Sequence, residues 1–185
     1  ETRSIRVLDM CTGSGCLLIA LALNWQDDRV SSGDATCKIE GLGADIAAGA
    51  VEAAAKNAHD LKAGNLAFIQ SDLFSKVTGT YDIIISNPPY IPTKDIESLD
   101  LEVRDHEPMI ALDGGEDGLD FYKRIVQEAP HYLNKGGSLL FEIGYDEGHA
   151  VQKLMMDGGF SNVKIVRDLA GLDRVVQGVY TCLNN

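Results

Sequence analysis

The chain has 185 residues, 45% of them hydrophobic and 24% charged, the composition of a single globular domain with length enough for a sizeable core. Its formal net charge of −12 argues against direct binding of nucleic acid, which rests on Lys and Arg at the phosphates; a small basic or neutral partner fits better. The longest apolar run, Cys16–Leu23, is too short to span a bilayer, and no secretory signal, lipidation motif or repeat is present, so no membrane partner is expected.

Ile5–Asp9 reads as a first strand. Met10-Cys11-Thr12-Gly13-Ser14-Gly15 follows as a tight turn, and Cys16–Trp25 as an apolar helix. Glycine lacks the Cβ that would keep a ligand away from the backbone, so a strand, a glycine turn and a helix start form a ligand-approach motif. The dinucleotide pattern GxGxxG is not met, because Leu18 stands where the third glycine belongs; this disfavours an NAD-dependent enzyme. Gln26–Thr36 is polar and reads as an inserted surface loop. Lys38–Ala44 is a second strand ending at Asp45, and Ile46–Leu61 an alanine-rich helix. A carboxylate at that strand end suits either vicinal ribose hydroxyls or a helix N-cap. Asn65–Gln70 is a third strand, leading into Ser71-Asp72-Leu73-Phe74. There Asp72 is placed to accept from an exocyclic amine or to cap a short helix.

Tyr81–Tyr90 is the most informative stretch. The β-branched run Ile83-Ile84-Ile85 reads as a strand buried on both faces of a parallel sheet. It stops at Ser86-Asn87-Pro88-Pro89-Tyr90, since two successive prolines cannot donate to a ladder. Pro88 pushes Asn87 into an extended conformation. The Asn87 side-chain oxygen and the Pro88 carbonyl then converge beside the Tyr90 ring as a receptor for a planar NH2 group, at the strand ends where open α/β sheets bind ligands.

Ile91–Gly118 is a long, charged connection without a core pattern, the kind that forms lids or stays disordered. Leu119–Leu133 reads as a helix shortened or kinked by Pro130, Lys135-Gly136-Gly137 as a turn, and Ser138–Ile143 as a buried strand. Asp146–Asp157 reads as an amphipathic helix, and Val163–Val166 with Arg174–Tyr180 as an antiparallel pair at one side of the sheet. Strands alternating with helices predict a doubly wound, mostly parallel α/β sheet. Cys11, Cys16, Cys37 and Cys182 show no metal-ligand spacing, and His59, His106, His131 and His149 no HExxH pair. Reduced thiols in an intracellular protein, and no metal, are therefore expected.

The chain resembles the HemK/PrmC family of class I S-adenosylmethionine-dependent methyltransferases, which methylate a glutamine side-chain amide in peptide-chain release factors. The resemblance runs from Val7 to Tyr180. It is carried by Leu8–Cys16, Ser71–Phe74, Ser86–Ile91, Glu102-Val103-Arg104 with Glu107-Pro108, Ala111–Leu119 and Arg174–Gly178. It implies a Rossmann-like, seven-stranded fold with an antiparallel C-terminal strand, S-adenosylmethionine as cofactor, and a release factor as protein substrate. Cofactor contacts would come from Asp9, Cys11, Thr12, Gly13, Ser14 and Gly15 around the methionine part and Asp45 at the ribose. Asp72 and Leu73 would sit at the adenine, with Asn87 also close to the cofactor. Asn87, Pro88, Pro89 and Tyr90 would hold the substrate glutamine, with Asn87, Pro88 and Tyr90 catalytic. Cys11 departs from the family, which usually has glycine there.

Two other readings share these motifs. One is an adenine-N6 or guanine-N2 nucleic-acid methyltransferase, which would present the same acceptors to a flipped base. The other is a catalytically silent binding subunit of the same fold. An intracellular protein is expected, cytoplasmic or, as the inserted loop at Gln26–Thr36 hints, of the mitochondrial matrix; oligomeric state is left open. Residues 1–185 are expected to form one catalytic domain without the helical docking domain common in the family. Such a piece is suggested by a chain that begins at Glu1 and enters a strand at once.

Overall fold

The computed structural model describes residues 3–32, 37–98 and 108–181. Seven strands are hydrogen-bonded in the order β3-β2-β1-β4-β5-β7-β6, the mostly parallel α/β sheet the alternating pattern predicts. The chain divides into two compact units, Glu1–Ser86 with His131–Ser138, and Asn87–Pro130 with Leu139–Asn185.

In the first unit, β1 (Arg3–Met10), β2 (Cys37–Asp45), β3 (Leu66–Gln70) and β4 (Tyr81–Ser86) are parallel neighbours. All four therefore end at the same edge. β1 lies between β2 and β4, with Met10 opposite both Ala44 and Ser86. The strand order reverses at this point, at the strand ends where open α/β sheets bind ligands. Helix α1 (Cys16–Ser32) lays Leu18 and Ala22 on Val7 and Ile39. Ile19 packs with Ala58 of α2 (Ala48–Asp60) and with Ala63. These apolar contacts fix where the loops between strand and helix emerge.

Three sequence-based boundaries move, each for a local reason. α1 runs on to Ser32 through residues read as a loop, because Gln26–Ser32 is polar but contains neither Pro nor Gly; polarity alone does not break a helix. Residues 33–36 of that loop lie outside the described residues. α2 starts at Ala48 rather than Ile46. The Asp45 carboxylate takes the Ala47 N–H at 2.9 Å and the Gln70 amide donates to the Ile46 carbonyl at 3.0 Å, and Ala47 is held extended at φ −85° and ψ 117°, so the helix begins after it. The Lys135–Gly137 turn is instead part of β5 (Leu133–Glu142). Gly136 absorbs the irregularity at φ +82°, while Asn134 holds the Asp82 carboxylate at 2.8 Å and Tyr81 N–H the Tyr132 carbonyl at 2.8 Å.

In the second unit, the connection after Tyr90 is more ordered than its charge suggests. It contains a 3-10 helix at Thr93–Ser98 and a short helix α3 (Met109–Leu112), with Ile96 and Leu112 buried; residues 99–107, which carry part of the family resemblance, lie outside the described residues. Its ends are stitched together: Ile91 bridges Asp113, Ile91 N–H bonds the Leu112 carbonyl, and Gly114 N–H the Ile91 carbonyl. Helix α4 (Asp120–Glu128) stops short of Pro130, which falls in a 3-10 turn. Its buried Tyr122 meets Phe141 edge-on at 5.1 Å. α5 (Gly148–Asp157) packs on β6 (Phe160–Arg167) and β7 (Asp173–Tyr180), the antiparallel pair expected at the sheet's side.

Candidate active site

The glycine turn after β1 is built from below by Asp9. Its side chain is 1% exposed. Oδ2 accepts the Thr12 hydroxyl at 2.6 Å, and Oδ1 has no hydrogen-bond partner among the described residues. Burial raises its pKa to about 7; the Thr12 bond and the nearby Leu18 backbone N–H oppose this, and the Asp45 carboxylate adds to it. Above it the turn is closed by Gly15 N–H to the Thr12 carbonyl at 2.8 Å and Thr12 N–H to the Ala44 carbonyl at 3.1 Å.

Backbone conformation explains the glycines. Gly13 and Gly15 stand at φ +54° and +78°, in the left-handed region where only glycine is unstrained. A Cβ on Gly15 would lie 3.0 Å from Ala54 Cβ, so this glycine also lets the helices approach. A Cβ on Gly13 would meet nothing within 4 Å, so the turn presents bare backbone to open space. Cys11 adopts φ +59° although it is not glycine. The family's glycine conformation is kept at a cost of roughly 1–2 kcal/mol in backbone strain.

Asp45 joins this turn to the next strand end. Oδ2 accepts Gly13 N–H at 2.9 Å and Oδ1 accepts Ala47 N–H at 2.9 Å. The carboxylate therefore pins two loops and makes no side-chain cap on α2. Each oxygen still has a second lone pair for an incoming hydroxyl.

At the third strand end the sequence left most unsaid. Ser71 organises the turn: its hydroxyl donates to the Leu73 carbonyl at 2.7 Å and accepts Lys76 N–H at 3.0 Å. Asp72 precedes the 3-10 turn, is exposed, and makes no side-chain cap to it. Leu73 is buried at φ +43°, a strained conformation for a leucine that no sequence pattern signals. At the fourth end, Ser86 is buried and its hydroxyl donates to the Met10 carbonyl at 2.7 Å. That bond locks the end of β4 to the start of the glycine turn. The structure thus gathers Asp9, Cys11–Gly15, Asp45, Asp72 and Leu73 at one edge of the first unit.

In the second unit, Asn87 is exposed, Pro88 and Pro89 are buried and Tyr90 is half-buried. Burial raises the Tyr90 pKa, the Glu142 carboxylate adds to this, and Arg174 opposes it; the phenol stays protonated. Among the described residues no group of three or more His, Cys, Asp or Glu could hold a metal ion, and no helix is long and apolar enough to cross a membrane.

A family model described as the methyltransferase small domain matches residues 1–102. The chain belongs to that family. The chain is 41% identical over 174 residues to the release factor glutamine methyltransferase of Agrobacterium fabrum, covering 94% of this chain and 56% of the relative. It is 40% identical over 173 residues to the protein of that name from Geobacter sulfurreducens, covering 93% and 57%. The chain therefore spans little more than half the length of these relatives. Among solved structures it is similar to a methyltransferase from Pyrococcus furiosus (TM-score 0.68, 19% identity, 98% of this chain and 78% of that one). It is also similar to the magnesium protoporphyrin IX methyltransferase of Synechocystis with bound SAM (TM-score 0.59, 17% identity, 98% and 72%). At those identities the likeness concerns the fold.

Proposed function

We propose that this domain transfers a methyl group from S-adenosylmethionine to the side-chain amide nitrogen of a glutamine in a peptide-chain release factor. The observation that carries the reading is the Ser86–Met10 hydrogen bond. It fixes the end of β4 against the glycine turn, and Asn87 is the next residue along the chain.

The first unit's edge suits the cofactor. Gly13 offers uncovered backbone for the methionine part, and Asp45 keeps lone pairs for two ribose hydroxyls. Asp72 and Leu73 flank the adenine, with the exposed Asp72 carboxylate able to accept from its exocyclic amine. Asp9, beneath the surface, serves by holding the turn through Thr12 and by its charge. When bound, the sulfonium supplies a strongly electrophilic methyl group, so the hard chemistry is the cofactor's.

The chain's own task is to present the nucleophile. An amide nitrogen is a poor one, because its lone pair is delocalised into the carbonyl. Asn87 Oδ1 and the Pro88 carbonyl accept the two amide hydrogens, orient the nitrogen, and act as fixed dipoles toward the positive charge that grows on it. Pro89 holds the turn rigid and the Tyr90 ring packs against the amide plane. The proton leaves to water once nitrogen is alkylated. A release-factor substrate would be met in the cytoplasm or a mitochondrial matrix, and the reading carries that location with it.

The test is transfer of radiolabelled methyl from S-adenosylmethionine to three acceptors: an intact release factor, one with its target glutamine changed to alanine, and RNA or DNA oligomers. Label on the intact factor alone is expected. Label on the oligomers with none on the factor would replace this reading with a nucleic-acid one.

A further inference from the structure

The second unit contains an ionisable group that the proposed chemistry does not use. Glu147 immediately precedes α5 and is half-buried. Its Oε2 accepts Gly144 N–H at 2.9 Å and lies 3.3 Å from the Tyr122 hydroxyl. That hydroxyl is also 3.1 Å from the Glu142 carbonyl oxygen. Tyr122 is fully buried and has one hydrogen for two acceptors. If the hydrogen goes to the nearer carbonyl, two oxygens face each other at 3.3 Å. That contact is attractive when Glu147 carries a proton and donates it back.

The other carboxyl oxygen faces the turn that holds Tyr90. A Cβ on Gly118 would lie 2.4 Å from the Tyr90 carbonyl oxygen and 2.9 Å from Glu147 Oε1. Gly118 is thus wedged between the two. Across the same turn, a Cβ on Gly114 would lie 2.7 Å from Tyr90 Cα. The Tyr90 backbone rests on two glycines, and Glu147 stands behind one of them.

We propose that Glu147 is a positioning residue for Tyr90 that works as a neutral carboxylic acid, bracing the Asn87–Tyr90 turn through Gly118 and Tyr122, and that its ionisation loosens the turn. The inference rests on the proposed role of that turn in holding the substrate amide. Burial and the neighbouring carboxylates favour the neutral form. Burial is the main cause that raises its pKa to about 7, opposed by the Gly144 and Tyr122 bonds, with Asp146 and Asp117 adding to it. Tyr122 comes from α4, Glu142 from β5, Asp117 from the glycine-rich segment and Tyr90 from the turn itself. Arg174 on β7, the cation that acts on Tyr90, lies 3.5 Å from Asp168 and 3.4 Å from the Ile143 carbonyl.

The experiment compares wild type, Glu147→Gln and Glu147→Ala by kcat and KM across the pH range, with cofactor affinity from calorimetry. Glutamine cannot ionise, so its kcat relative to wild type is expected to rise about tenfold between pH 6 and pH 8. Alanine is expected to lower kcat at every pH with cofactor affinity unchanged. A Gln-to-wild-type ratio that stays flat with pH would overturn the proposal. A second readout does not need activity: the Tyr90 and Gly118 amide resonances are expected to titrate near neutrality in wild type and not in Glu147→Gln. If those resonances titrate alike in both proteins, or in neither, the bracing role fails. Were wild type to bind cofactor yet leave release factor unmethylated, the glutamine reading would fall while the resonances still decide this one.

Discussion

Replacing Asp9 by asparagine should reverse its effect on stability between acid and alkaline pH. The wild-type carboxyl is 1% exposed, accepts one hydrogen bond from Thr12 and leaves Oδ1 unpartnered among the described residues. Its pKa is raised from 3.8 to about 7. A raised folded-state value means the native state holds the proton more tightly than the unfolded chain. The associated stability is complete below about pH 4 and is lost as pH rises through about 7. At roughly 1.4 kcal/mol per pH unit, a shift of about three units makes the loss on the order of 4 kcal/mol. Asparagine keeps an acceptor for Thr12 but cannot ionise, so this loss disappears. Its NH2 takes the unpartnered position, at a cost of about 1–3 kcal/mol. Asp9→Asn should therefore be less stable than wild type near pH 4 and more stable, by about 1–3 kcal/mol, near pH 8. Urea unfolding of both proteins across this range measures it. Glu147 titrates over the same window but is common to both, so the difference curve isolates Asp9. Parallel curves that never cross would refute the buried, raised carboxyl.

Further predictions concern the proposed site. Asn87→Ala should remove most methyl transfer while calorimetry shows S-adenosylmethionine affinity largely intact; near-normal turnover would count against Asn87 as the amide acceptor. Asp45→Ala should weaken cofactor binding and also lower stability by about 1–2 kcal/mol, since two backbone N–H bonds are lost with it; an unchanged dissociation constant would leave it only the structural role. Cys11→Gly should raise stability by about 0.5–1 kcal/mol, the relief of left-handed strain less the extra freedom of unfolded glycine. In a thermal melt that is a gain of about 1–4 °C, and no gain would mean that Cys11 is held by something that offsets its strain.

The sheet and most of its strands were legible because the chain marks them twice, by β-branched runs such as Ile83–Ile85 and by glycine or proline at their ends. Helix ends were less so. α1 outlasted its apolar face because nothing between Gln26 and Ser32 breaks a helix, and α2 began late because Ala47, tied to Asp45 two residues before it, is extended. Within the site, the glycine turn and Asp45 could be placed from strand ends alone. The work of Asp45 on Gly13 and Ala47 could not, since it depends on which strands are neighbours. Ser86 was read only as the end of a strand, and its hydroxyl ties β4 to β1. The positive φ of Leu73 and the whole role of Glu147 were not legible for the same reason: backbone strain and a half-buried carboxyl are properties of the folded surroundings.

The most direct measurement is a crystal structure of the protein with S-adenosylhomocysteine and a release-factor peptide carrying the target glutamine. The account predicts the glutamine NH2 within hydrogen-bonding distance of both Asn87 Oδ1 and the Pro88 carbonyl, its nitrogen facing the cofactor sulfur. A complex with that space filled by the protein's own side chains, or with the glutamine bound elsewhere, would contradict it.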